Sequence, residues 1–393
     1  MPILDTSVKY IHEGMRGAPV LNGTVGAIIA LLDTFLINGW GLATATSASV
    51  LDGVCTVNMS ALDVFEDGCV IVMAGATPGA LNAEHRLTQG GNVLKFNTTA
   101  PNGPVTGTIT VKYAPLGWEK AFSGPNGAVY RSLDITTPQR YLRVDDSVPT
   151  FARVRGYNAM TGVDAGTGPF PTDAQVDGGL YWFKSTSANT TPRRYTLRGD
   201  TGVFYYGVTA NFDVNFPPED SSAYELIHEF GYAGALSPTG DVWATRISGA
   251  ANNSWSQTAG ALGLGNVGHV YSERAISGVG DPITSHRRKS SGNPAAASGA
   301  DTNGFGPYPG AVDARLRICS YFLTQEELIF TPRAVVAGVY GVPHDNLTGH
   351  PTLKARDTIP GSGVLSGRKL ALAWVGGGGR QGGIFFDVTG PWR

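Results

Sequence analysis

This chain is short of charge and shorter still of cysteine. Asp, Glu, Lys and Arg make up only 15% of its 393 residues, against an ordinary share of roughly 25%, and the net charge is -2. A surface so sparsely and evenly charged carries no electrostatic footprint for nucleic acid or for an anionic membrane. The three cysteines, Cys55, Cys69 and Cys319, are odd in number and form no CxxC. That indicates neither a disulfide framework nor a thiolate zinc site; Cys55 and Cys69 could face each other across a hairpin, but buried free thiols are the expectation. No apolar run reaches the roughly 20 residues a bilayer demands, so no membrane span is expected. No GxSxG and no catalytic Cys/His signature occurs.

What is abundant is glycine, 54 residues, alongside 24 prolines and a hydrophobic fraction of 42%. With much Thr, Ser, Asn, Val and Tyr, this composition predicts a mainly β protein rich in turns and able to fill a core. The exception lies near the start. From Thr24 to Ile37 polar residues nearly vanish, and Ile28, Leu31, Leu32 and Phe35 recur at i, i+3, i+4 and i+7. That period predicts one helix, with Asn22 or Thr24 as its cap and Gly39 as its stop. Lys9 and Arg16 before it and Ala43-Thr44-Ala45 after it mimic an export signal, but Asp5, Glu13 and Asp33 argue against one. So apolar a helix needs a protein partner. The expected role of Ile28, Leu31, Leu32 and Phe35 is an assembly interface with neighbouring subunits, the alternative being packing on the chain's own sandwich.

Four regions follow from the pattern: an extended arm and apolar helix over 1-45, a small β-barrel or sandwich module over 46-114, a larger β-sandwich or barrel region over 115-330, and a C-terminal β region over 331-393. Asp52-Gly53 and Pro125-Asn126-Gly127 signal hairpins. Lys95 and Lys112 lie on alternating strands, and Ala314 to Phe322 reads as another. Thr324 to Leu328 reads as a helical turn. The stretch 254-310, rich in Gly, Ser, Asn and Ala, reads as a long loop.

The motifs that carry chemistry elsewhere fail here on context. Gly263 to Gly268 matches GxGxxG but has no βαβ unit around it. His228-Glu229 opens like HExxH, yet Tyr232 stands at the second His, so a strand edge is the expectation. His344, His350 and Asp357 make a weak metal candidate in a turn-rich loop. Arg198-Gly199-Asp200 reads as turn chemistry. The pairs Asp145-Asp146 and Glu326-Glu327 say nothing about the carboxylate separation that glycoside hydrolysis requires. No cofactor, metal or catalytic residue is therefore assigned. Tyr181, Trp182 and Trp243, with Trp255, are candidates for stacking on sugar rings, since an aromatic face offers apolar area beside polar edges.

Two sets of residues resemble known proteins. Val70 to Ala76, Leu81-Asn82-Ala83-Glu84-His85 and Asn92 to Phe96 are similar to a small β module of tailed-phage structural proteins, with Ala83 where a glycine is common. Leu4 to Tyr10, Gly17 to Thr24, Asn38-Gly39-Trp40-Gly41, Leu116 to Gly124, Thr161 to Pro171 and the ending Phe385 to Arg393 resemble virion structural proteins of tailed bacteriophages. The resemblance implies a non-enzymatic component of the phage tail tip or baseplate, working in a symmetric homo-oligomer with other phage structural proteins. Alternatives are a capsid-decorating or head-fibre protein and a glycan-binding receptor-recognition protein that holds host surface glycan. A glycan-degrading enzyme has the least support.

Overall fold

The computed structural model describes residues 2-215, 225-232, 234, 241-253, 269-289, 315-325, 333-342, 353-377 and 380-393. It is mainly β, with one α-helix among the described residues. After strand β1 (Lys9–His12), the helix α1 covers Ala27–Leu32 and passes directly into a π-helical turn over Asp33–Asn38. Gly39 ends it as expected, at φ 69. The start differs from expectation. Asn22 and Thr24 hydrogen-bond each other at 2.6 Å, and the residue before the helix is Gly26, which has no capping side chain. The cap comes instead from Asp146, whose carboxylate accepts the N–H groups of Ile28 (2.7 Å) and Ile29 (3.3 Å). A local motif search misses a cap supplied from so far along the chain.

The next eight strands make two four-stranded antiparallel sheets. One holds β2 (Trp40–Thr44), β5 (Val70–Ala74), β6 (Glu84–Arg86) and β9 (Thr110–Tyr113), in the order β2-β9-β5-β6. The other holds β3 (Ser47–Leu51), β4 (Val54–Asn58), β7 (Val93–Asn97) and β8 (Gly103–Val105), in the order β7-β4-β3-β8. Their inward residues, such as Val57, Phe96, Ile71 and Val111, join one core. The β3–β4 hairpin turns at Asp52-Gly53, both at positive φ (50 and 77), which suits this dipeptide. Cys55 and Cys69 are buried and free.

A six-stranded sheet follows: β10 (Trp118–Gly124), β11 (Gly127–Ser132), β12 (Tyr141–Asp145), β13 (Phe151–Gly162) and β14 (Ala165–Phe170) pair in sequence order, and β15 (Leu180–Phe183) pairs the first half of β13. The largest sheet takes the remaining strands: β16 (Arg193–Gly199), β17 (Val203–Asp213), β18 (Leu226–Tyr232), β19 (Thr245–Gly249), β20 (His269–Ser272), β21 (Ile283–Lys289), β22 (Cys319–Gln325), β23 (Ala334–Gly341), β24 (Thr358–Pro360), β25 (Lys369–Gly377) and β26 (Arg380–Asp387). With β1 added at one edge, its order is β1-β16-β17-β18-β19-β20-β21-β22-β23-β26-β25-β24. This twelve-stranded sheet folds over on itself. Val203, Tyr205 and Ile227 from one half share a core with Val339, Ala373 and Phe386 from the other.

Two expected boundaries shift accordingly. β22, before residue 330, pairs β23, after it, in one sheet, so the region 331-393 is not a separate β unit. The arm is not separate either, because β1 is the sheet's edge strand. The strand expected over 314-322 pairs only from Cys319 onward. Leu316 and Ile318 are half-buried on a core without a ladder partner, so their alternation reports burial and not pairing. Thr324 and Gln325 belong to β22, not to a helical turn. Residues 326-328, the Gly263 to Gly268 motif, His344, His350, Trp255 and the Glu326-Glu327 pair lie outside the described residues, as does most of the 254-310 stretch; its described part, 269-289, corrects the long loop expected there, since it carries β20 and β21 of the large sheet.

Candidate functional site at the seam of arm, small module and large sheet

Helix α1 is used by its own chain. Ile28, Leu31, Leu32 and Phe35 are no more than 1% exposed and sit in the largest core, with Trp40, Tyr130 and Leu116. The π turn's free carbonyls at Phe35 and Leu36 accept the N–H groups of Leu116 (2.8 Å) and Gly117 (3.1 Å). Asp33, the acid within the apolar run, pairs with Lys120 at 2.9 Å and accepts the Tyr130 hydroxyl at 2.7 Å. The expected assembly interface on this face is therefore corrected: these four side chains join the helix to this chain's sheets and present nothing to a neighbour.

The three aromatic candidates are likewise occupied. Trp182 is fully buried, donates its indole N–H to Ser248 O (2.7 Å) and stacks on His228. Tyr181 lies between the Arg153 guanidinium, 4.0 Å from its ring centre, and Phe151. Trp243 is half-buried and flanked by Arg140 and Arg274 at 5.7 and 5.2 Å. A sugar ring finds no free face on Trp182, and the cationic partners take faces of the other two. Glycan stacking by this trio is thus not what the geometry provides. His228 and Glu229 fall on opposite faces of β18, as a strand requires. Asp200 and Arg198 are both buried: Asp200 caps its own turn and pairs with Arg393, while Arg198 pairs with Glu225 at 3.1 Å.

The polar residues that do converge come from separate regions of the chain. Arg86, on β6, is 5% exposed and donates to four backbone carbonyls: Asp5 (2.6 Å), Val8 (2.7 Å), Gly68 (2.6 Å) and Val388 (3.0 Å). Among the described residues no carboxylate touches it, and burial pulls its pKa below the usual guanidinium value. The five-donor fork of arginine suits such a cage of carbonyls. The cage ties the arm, the small module and the C-terminal strand to one side chain. Next to it Gly390, at φ 69, meets Val8 so closely that an added Cβ would come within 2.6 Å of its side chain.

Beside this clamp opens a cleft of about 310 Å³. One wall is the β1–β16 ladder, where Tyr10 faces Arg198 and His12 faces Thr196 across the register. The opposite wall is Thr358 on β24 and Ala371 on β25, and Glu66 and Asp67 of the small module stand at the rim. The two edges of the large sheet are bridged here, since Arg356 donates to both oxygens of Glu13 at 2.5 and 2.6 Å. His12 is engaged through both nitrogens: Nδ1 accepts the Gly14 N–H (3.1 Å), and Nε2 lies 2.9 Å from Glu66. Burial raises the Tyr10 phenol, which stays a neutral hydroxyl. His12 with Glu66, Arg198 with Glu225 and Arg356 with Glu13 are paired, and Asp67 accepts the Gly90 N–H, so the charged groups of this cleft brace its surfaces against one another.

A second polar junction holds the helix. Asp146 and Lys184 are fully buried and in contact, and Lys184 also donates to Thr24 O at 2.6 Å. Burial raises the Asp146 carboxyl and lowers the Lys184 amine. Sequence reading missed Arg86, Glu13, Arg356 and this pair. A usable signal existed for Lys184 alone, since a lysine that continues the apolar run Leu180-Tyr181-Trp182-Phe183 must be buried with a partner.

Among the described residues, no three His, Cys, Asp or Glu side chains gather as a metal site, and no helix is long and apolar enough to cross a membrane. Comparison with models of known protein families gives no match, and no curated protein matches the chain.

Proposed function

We propose that the chain is a non-enzymatic structural component of a tailed-phage virion, in the tail tip or baseplate, acting in a symmetric oligomer with other virion proteins. One observation supports this reading above others. Two of the stretches that resemble virion proteins meet at the seam: Leu4 to Tyr10 and Phe385 to Arg393 come together on the Arg86 cage, and in a third Leu116 and Gly117 close the helix. A resemblance that includes these joints fits a protein whose task is to hold β units in a set arrangement. The paired charges in the cleft fit the same task. Capsid decoration is the alternative that this observation leaves standing. Glycan recognition loses the support of Tyr181, Trp182 and Trp243.

The test is reconstruction by electron cryomicroscopy of virions from the phage that encodes this chain. The proposal expects density for its sheets at the distal end of the tail, repeated by the tail's symmetry. Density on the capsid would overturn the tail assignment.

A further inference from the structure

The junction between Asp146 and Lys184 has the makings of a covalent bond. Asp146 directly follows β12 and Lys184 directly follows β15, the two strands that flank the start of β13. Both side chains are 0% exposed, and the amine touches the carboxyl group. Each remaining polar atom already has the partner that an amide would want. The carboxyl oxygen turned away from the lysine accepts two backbone N–H groups, Ile28 at 2.7 Å and Ile29 at 3.3 Å. The lysine nitrogen donates to Thr24 O at 2.6 Å. A fully buried ion pair is a costly arrangement, whereas a neutral amide in the same place keeps the hydrogen bonds to Thr24, Ile28 and Ile29.

We propose that Lys184 and Asp146 condense within the folded chain into an intramolecular isopeptide bond. The neutral lysine amine attacks Cγ of the protonated carboxyl group, and a C–N bond forms. Negative charge develops on the oxygen held by Ile28 and Ile29, whose N–H groups are already aimed at it and act as an oxyanion hole. A proton passes from nitrogen to the other oxygen, the C–O bond breaks, and one water leaves. Nothing is oxidised or reduced, and no co-reactant is consumed. Burial favours the required protonation states, since it moves the proton from the ammonium toward the carboxylate. Proximity of fixed partners supplies the rest. In the product the amide N–H still donates to Thr24 and the amide carbonyl still caps the helix.

The test is mass spectrometry of the purified full-length chain under denaturing conditions. The expected mass is lower than the sequence mass by one water. Tryptic digestion is expected to give a branched peptide joining the segments that hold Asp146 and Lys184, with no cleavage after Lys184. The full sequence mass, with ready cleavage at Lys184, would overturn the proposal. Asp52-Gly53, Asp67-Gly68 and Asp177-Gly178 can also lose water, by succinimide formation, so Lys184→Arg is the control. A deficit that persists in Lys184→Arg places the water loss elsewhere and counts against the bond. The branched peptide of the unmodified sequence decides the matter even if that variant folds poorly.

Discussion

Arg86 spends its guanidinium on four carbonyl oxygens drawn from residues 5, 8, 68 and 388. Truncating it leaves several buried acceptors unsatisfied, at about 1–3 kcal/mol for each such group. Arg86→Ala is therefore expected to lose at least about 3 kcal/mol in denaturant unfolding, and Arg86→Lys to recover only part, because an ammonium cannot span the cage. Leu32 is 0% exposed within the chain's own core. Leu32→Ala should cost about 2–5 kcal/mol and Leu32→Asp should abolish the fold. A stably folded Leu32→Asp chain would contradict this packing. His228 gives a pH signature. Burial lowers its pKa to about 3, below the roughly 6.5 of an unfolded imidazole. As pH falls through that interval the unfolded chain binds the proton first, so stability present above pH ~6.5 is lost at up to about 1.4 kcal/mol per unit. Glu273 shifts upward on burial and acts with the opposite sign. The His228 share is read as the difference between the original sequence and His228→Gln, whose stability should fall less steeply between pH 6 and 4. Parallel curves would show that His228 is not held neutral.

At the scale of elements, the helix shows what a sequence can reveal. Its apolar face and its stop at Gly39 follow from local spacing. Its cap does not, because Asp146 arrives through tertiary folding. Its partner is not legible either, since a buried stripe looks the same whether this chain or another covers it. Gly39 itself is testable: it combines φ 69 with an approach that would place a Cβ 2.4 Å from Tyr113 O. Gly39→Ala is expected to lower thermal stability by more than the roughly 1 kcal/mol of an ordinary strained turn position, measured by calorimetry. Hairpins at Asp52-Gly53 and Asn126-Gly127 were legible because each turn is encoded by two adjacent residues. The start of β22 was not, because Leu316 and Ile318 alternate for burial while pairing waits for Cys319. The aromatic trio misled for a related reason. Sequence identifies Tyr181, Trp182 and Trp243 as large rings but not the Arg153, Ser248 and Arg274 groups that occupy them.

For the whole molecule, composition and turn spacing made the mainly β class legible. The twelve-stranded sheet was not, because it pairs β1 with β16 and bridges Glu13 to Arg356 across nearly the full chain. No local pattern records such pairings. The same topology makes the arm structural. Removing residues 1-12 strips β1 from the sheet, bares the edge of β16 and empties part of the Arg86 cage. An exposed edge of this kind invites association, so the shortened chain should unfold at lower temperature and scatter light as aggregates. A monodisperse product of unchanged stability would contradict the role given to the arm. The central claim, that this chain is a built part of a virion, is tested most directly by quantitative mass spectrometry of purified, washed particles of the encoding phage. The account predicts the chain at a fixed whole-number copy per tail that follows the tail's symmetry. Its absence from particles, with the chain found only in the infected-cell lysate, would contradict the account.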